Sequence, residues 1–202
     1  MPVRALLVSL IDWVQKGVEP PASAYPRIDR GDLVILGALR LPNVPDLGRP
    51  TVVHQADRLD FGPRWDQGII DREPAGLGAP FPALVPQVDS LANEVGGVRT
   101  VELEAPLASY LPWNLRRGQP GDTTELTRSL GTYLPLPRTE AERAAAHDPR
   151  PSVASLYRNR EDYLARARRA ANELVKRRML LPGDVERAVA RAAAQWGWTV
   201  GR

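Results

Sequence analysis

The chain has no cysteine among its 202 residues, which excludes a disulfide scaffold, a thiolate-ligated zinc or iron–sulfur centre and a thiol nucleophile. Histidine is nearly as scarce. His54 and His147 are the two present, too few for a multi-histidine zinc site and little material for acid–base catalysis. Lysine is confined to Lys16 and Lys176, so arginine carries the basic charge. No apolar run approaches the roughly 18 residues that mark a membrane span, and a cytoplasmic address is favoured. Arg4 followed by Leu6, Leu7, Val8, Leu10 and Ile11 superficially suggests a short signal peptide, but Asp12 interrupts the run and no small-residue cleavage site follows.

What is present is a 43% apolar chain, sufficient for a compact core. The 20 prolines and 16 glycines confine continuous helix and strand to the stretches they spare. The net charge of +3 bears on solubility and encounter rather than on fold.

The expected class is α+β, in three stretches: a helix within 1–19, a Pro/Gly-rich β and loop region over 20–137, and a helical segment over 138–202. Val3, Leu6, Leu7, Leu10 and Val14 recur at helical spacing, with Pro2 suited to the first turn and Gly17 to the C′ position, so an amphipathic helix is expected over residues 3–16. Such an apolar helix needs a partner surface that the next residues hardly supply. Pro20, Pro21 and Pro26 then enforce an extended strap.

In the middle region, Leu33–Leu39 and Thr51–His54 read as short strands, and Arg58–Pro86, broken repeatedly by glycine and proline, as irregular. Ala83–Val88 and Val98–Pro106 read as an antiparallel hairpin across the polar stretch 89–97, because Val101 and Leu103 alternate with Glu102 and Glu104. Beyond Arg138 the signals are helical. Thr139 and Glu142 form a capping box, Ser152 and Asn159 are N-caps, and Tyr163, Ala167, Ala170 and Leu174 make one stripe. Pro182 opens a last helix carrying Val185, Ala188, Val189, Ala192 and Trp196, expected to pair with its predecessor as a helical hairpin.

Site chemistry is thin. No G-x-S-x-G elbow exists; Thr127-Arg-Ser129-Leu-Gly131 lacks the first glycine and leads into Tyr133-Leu-Pro135 rather than a helix, so Ser129 reads as a loop serine. His147 suits a helix C-terminus. His54 lies near Asp57, Asp60 and Asp66, but at irregular loop spacing, and Asp57 and Asp60 read first as turn residues. Gly76-x-Gly78 is no phosphate loop. Neither a metal nor a cofactor is implied. Arg166, Arg168, Arg169, Lys176, Arg177 and Arg178 are interspersed with Glu161, Asp162 and Glu173 and lack a stacking series, which argues for a solvated helix face over nucleic-acid binding. Two aromatic-polar clusters stand out, one with Trp65 and Asp66 and the other with Trp113, Asn114 and Arg116. Each either lines a ligand pocket or fastens its loop by stacking and hydrogen bonds.

The strings running from Arg4 to Val14, Gly17 to Ser23, Phe61-Gly-Pro63, Leu84-Val-Pro-Gln-Val-Asp89, Asn93 to Arg99 and Trp113-Asn-Leu-Arg116 occur in an order that resembles the C-terminal region of bacterial α/β hydrolase domain-containing proteins. The first helix with its following proline pair is also similar, over a shorter stretch, to the last helix of feruloyl esterase and tannase-type hydrolases. The resemblance implies that residues 1–19 are a terminal hydrolase-type helix. It further implies that the serine elbow, acid and histidine precede that helix, so that no catalytic residue maps onto this sequence. A truncated product, a split gene or a misassigned start would each give such a chain. Expected partners are then the missing hydrolase half or another subunit, with a small ester as substrate and no membrane. The competing reading is a stand-alone interaction or oligomerisation module.

Overall fold

In the computed structural model, residues 2–115, 126–127 and 130–201 are described. The first helix, α1 (Pro2–Lys16), forms where the apolar period placed it, and ends at Gly17, whose φ of 68° lets its N–H reach the Trp13 carbonyl at 3.0 Å. Its small residues Ala5 and Ser9 face inward and are buried, while Arg4 pairs with Asp184 at 2.7 Å. The apolar stripe faces away. Val3 and Val14 are each 78% exposed, and Leu7 56%.

Among the described residues the middle region carries three two-stranded antiparallel ribbons: β1 (Leu33–Val34) with β4 (Val85–Pro86), β2 (Asp57–Asp60) with β3 (Gly76–Pro80), and β5 (Ala108–Leu111) with β6 (Thr132–Pro135). Several sequence expectations are corrected here. The strand expected over Leu33–Leu39 stops at Val34 and passes into a 3-10 turn, Leu36–Ala38. The Gln87 amide replaces a ladder there, donating to the Ala38 carbonyl at 3.1 Å and accepting from the Arg40 N–H at 2.8 Å. Thr51–His54 follows Pro50 and forms no strand. Arg58–Pro86 is more ordered than expected, because it holds most of the β2–β3 ribbon, whose register shifts between Asp57 and Leu59.

The hairpin expected between Ala83–Val88 and Val98–Pro106 is also absent. Val85 and Pro86 pair with β1, and Val101–Glu104 is instead a single helical turn, α2. Alternation over four residues does not separate period 2 from period 3.6; Val101 and Ala105, four apart, are both buried. The β5–β6 ribbon went unforeseen.

The C-terminal helices follow their start signals. Thr139 caps α3 (Glu140–Ala145) by accepting from the Glu142 N–H at 3.1 Å. The returning arm of this box lands one residue early, on the Arg138 N–H at 2.8 Å. Ser152 caps α4 (Val153–Leu156), and Asn159 caps α5 (Arg160–Lys176) through the Asp162 N–H at 2.8 Å. After a 3-10 turn at Pro182–Asp184, α6 (Val185–Val200) folds back on α5.

Ala167, Ala170 and Ala171 on α5, with Ala188 and Ala192 on α6, let the two helices approach closely. The main core joins this hairpin to α2, Leu107, Leu136 and Val153. Tyr163 sits between Tyr157 and Trp196, each ring centroid 5.1 Å away. A second core gathers Leu39, Leu41, Val88, Ala92 and Leu111. Burying one such leucine stabilises the fold by about 1.5–3 kcal/mol.

The two cores are tied by buried polar groups. Arg150, 2% exposed, pairs with Asp148 at 2.7 Å and donates to Ser109 Oγ at 2.8 Å and to the Leu134 and Pro135 carbonyls at 3.0 and 3.1 Å. Burial alone would raise the Asp148 carboxyl, but the Arg150 bonds outweigh it and hold that carboxyl below its usual range.

Candidate functional site

Residues 87–104 build the chemically richest part of the molecule. Asp89 Oδ1 accepts from the Leu91 and Asn93 N–H groups at 2.9 and 3.0 Å, closing a tight loop in which Ala92 is left-handed with φ 61°. Asn93 is fully buried. Its amide donates to the Ala108 carbonyl at 3.1 Å and accepts from the Tyr110 N–H at 2.7 Å, clamping the loop to β5. Arg99 locks the far side, donating to the Glu94 carbonyl at 2.6 Å, to the Leu103 carbonyl at 3.0 Å and to Glu104 at 2.8 Å.

Glu94 follows Asn93 and lies between two cavities. The larger, about 510 Å³ and open to solvent, is lined by α2, α5, α6 and β5, with Pro2 of α1 at its edge; Leu103, Leu111, Leu174 and Leu180 supply apolar walls. Its polar groups are Glu94, Thr100, Tyr110 and the Glu102–Arg191 pair at 3.3 Å. The smaller, about 160 Å³, is apolar apart from Glu94 and His54, and Trp113 forms part of its wall. The Glu94 carboxylate has no hydrogen-bond or ion-pair partner among the described residues, and burial pushes its pKa up. Burial likewise raises the Tyr110 phenol, whose oxygen accepts from Gln195 Nε2.

The residues singled out from sequence are dispersed. Trp65 and Asp66 lie in a 3-10 turn, Trp65–Gln67, within the β2–β3 connection; Trp65 is half exposed and stacks on Phe61 with centroids 4.4 Å apart. Ion pairs Arg64–Asp71 and Arg72–Asp60 close the same connection. Trp113 packs on the second core, and its carbonyl accepts from Thr132 Oγ1 at 2.7 Å. The Asn114 carbonyl accepts from the Thr127 N–H at 2.8 Å, and both residues edge a groove of about 770 Å³ with Tyr133. The two tryptophan clusters share none of these cavities. Arg116 and Ser129 lie outside the described residues.

Other candidates have local engagements. Ser109 donates to the Leu91 carbonyl and Ser152 to Glu140 at 2.6 Å. His147 is exposed beyond α3 with φ 51°. On the basic face of α5, Arg166 donates to the Glu104 carbonyl, Arg168 pairs with Glu186 and Lys176 with Glu173; beyond the helix end, Arg178 donates to the Glu19 carbonyl. Among the described residues no group of three or more His, Cys, Asp or Glu is placed to hold a metal ion, and no helix is long and apolar enough to cross a membrane.

Sequence reasoning did not single out Glu94, Glu102, Tyr110 or Arg191 as site residues. Nothing in the sequence marked them: Glu94 sits in the polar stretch 89–97, and the cavity it lines forms only when α2, α5, α6 and β5 come together.

Among the described residues, six helices, short antiparallel ribbons and a C-terminal helical hairpin define a mixed α and β protein. The sequence profile of the Alpha/beta hydrolase domain family matches residues 1–190, and the chain belongs to that family. No curated protein and no solved structure matches it.

Proposed function

We propose that this chain forms the C-terminal, non-catalytic portion of a serine ester hydrolase, with α1 laying its apolar face on β-structure supplied from outside the chain. The observation that carries this reading is the exposed stripe of α1: Val3, Leu7, Leu10 and Val14 all stand open, whereas Ala5 and Ser9 are the helix's buried residues. An exposed apolar strip of this length is an interaction surface, and membership of a hydrolase family supports a sheet as its cover. The segments bearing Trp65, Asp66, Trp113 and Asn114 would then help shape the entrance for a small ester.

Purified chain assayed with short p-nitrophenyl esters tests this. No turnover is expected. Turnover that disappears in Ser129→Ala overturns the proposal.

The same stripe also favours a second reading, an oligomerisation module in which α1 is buried in another subunit. Light scattering separates the two, since a defined, concentration-dependent oligomer supports the module. A monomer that binds no apolar-surface dye counts against both.

A further inference from the structure

We infer that the cavity between α2, α5, α6 and β5 binds a small organic ammonium ion with an apolar body, Glu94 supplying its counter-charge. The geometry sets both halves of that ligand. Leu103, Leu111, Leu174 and Leu180 offer an apolar wall in a volume of about 510 Å³, which falls within the range of small-molecule sites. Charge at the cavity is unbalanced. Arg191 is already matched by Glu102 at 3.3 Å, which leaves the Glu94 carboxylate, facing the same space, without a partner among the described residues. A half-buried carboxylate without a counter-ion is held at a cost in solvation, seen in its raised pKa. An ammonium group entering the cavity removes that cost, whereas a carboxylate ligand would add to it. Tyr110 already accepts from Gln195, so its hydroxyl proton is free to orient toward the ligand.

Titratable and charged groups facing Glu94 are Glu102, Tyr110 and Arg191 around this cavity, His54 across the smaller one, and Arg99 at the Glu94 carbonyl. Cation binding requires ionised Glu94, so affinity for an amine rises with pH through that residue's elevated titration range.

The test is titration of the full chain by NMR with phenethylamine, with its uncharged counterpart 2-phenylethanol, and with phenylacetate. Phenethylamine is expected to bind at least about tenfold more tightly than 2-phenylethanol, with shifts at Val101, Leu103 and Leu174, and phenylacetate not at all. Glu94→Gln is expected to abolish the amine preference and its pH slope. Equal affinity for amine and alcohol overturns the assignment, as does failure of the amine to bind, or a pH slope that survives Glu94→Gln. Should Glu94→Gln not fold, the wild-type preference among the three probes still decides.

Discussion

Replacing Arg150 by methionine tests whether the buried polar lattice holds the two cores together. Arg150 is 2% exposed, and its guanidinium donates to both Asp148 oxygens, to Ser109 Oγ and to the Leu134 and Pro135 carbonyls. Arg150→Met keeps most of the aliphatic stem and removes every one of these donors. Asp148, also nearly buried, is then left as an uncompensated charge. Breaking a buried pair in this way costs about 3–5 kcal/mol. The Pro135 carbonyl, left without this donor, would add about 1–3 kcal/mol if water could not reach it, and the terms are not additive. With an m-value of about 2 kcal/mol per molar urea, the midpoint seen by circular dichroism falls by about 2 M. The double variant Asp148→Leu/Arg150→Met is expected to be more stable than Arg150→Met alone, because it removes the stranded charge as well. A single variant within about 1 kcal/mol of wild type, or a double variant less stable than the single, would refute the reasoning.

Asn93→Ala loses both amide bonds that clamp the loop to β5 and should cost about 1–3 kcal/mol in urea unfolding; a change below about 0.5 kcal/mol contradicts the clamp. Asn159→Ala removes the α5 N-cap and should cost about 1 kcal/mol by the same measurement. The Ser152 hydroxyl and then Arg143 hold the Glu140 carboxyl at about 2, well below its unfolded value. Its contribution is therefore complete above the unfolded pKa and is lost as pH falls toward about 2. The stability gap between wild type and Glu140→Gln should close over that window, and a gap constant down to pH 2 contradicts the assignment.

The long helices were legible because a face recurring over many residues leaves one interpretation. Val3 to Val14, Tyr163 to Leu174 and Val185 to Trp196 each span several turns, and Gly17, Asn159 and Pro182 mark their limits. The ribbons were not legible, for reasons particular to each. β1 is two residues long because the Gln87 side chain, distant in sequence, takes over the bonds a ladder would make. The Val101–Glu104 turn mimics a strand's alternation until Ala105 closes the helical face. The β5–β6 ribbon joins segments about twenty residues apart with no turn signal common to both. The Glu94 site depends on the same long-range events, since Tyr110 comes from β5 and Arg191 from α6. Ser109 and Arg150 likewise meet only after both elements are in place.

The most direct test of the central claim is urea unfolding, with binding of an apolar-surface dye, for the triple variant Val3→Glu/Leu7→Glu/Val14→Glu. These side chains are 78%, 56% and 78% exposed, and glutamate suits a helix at least as well as valine. If the stripe awaits β-structure from outside the chain, stability stays within about 0.5 kcal/mol of wild type and dye binding falls. A loss of several kcal/mol with dye binding unchanged would mean that the chain already covers its own first helix, and would contradict the account.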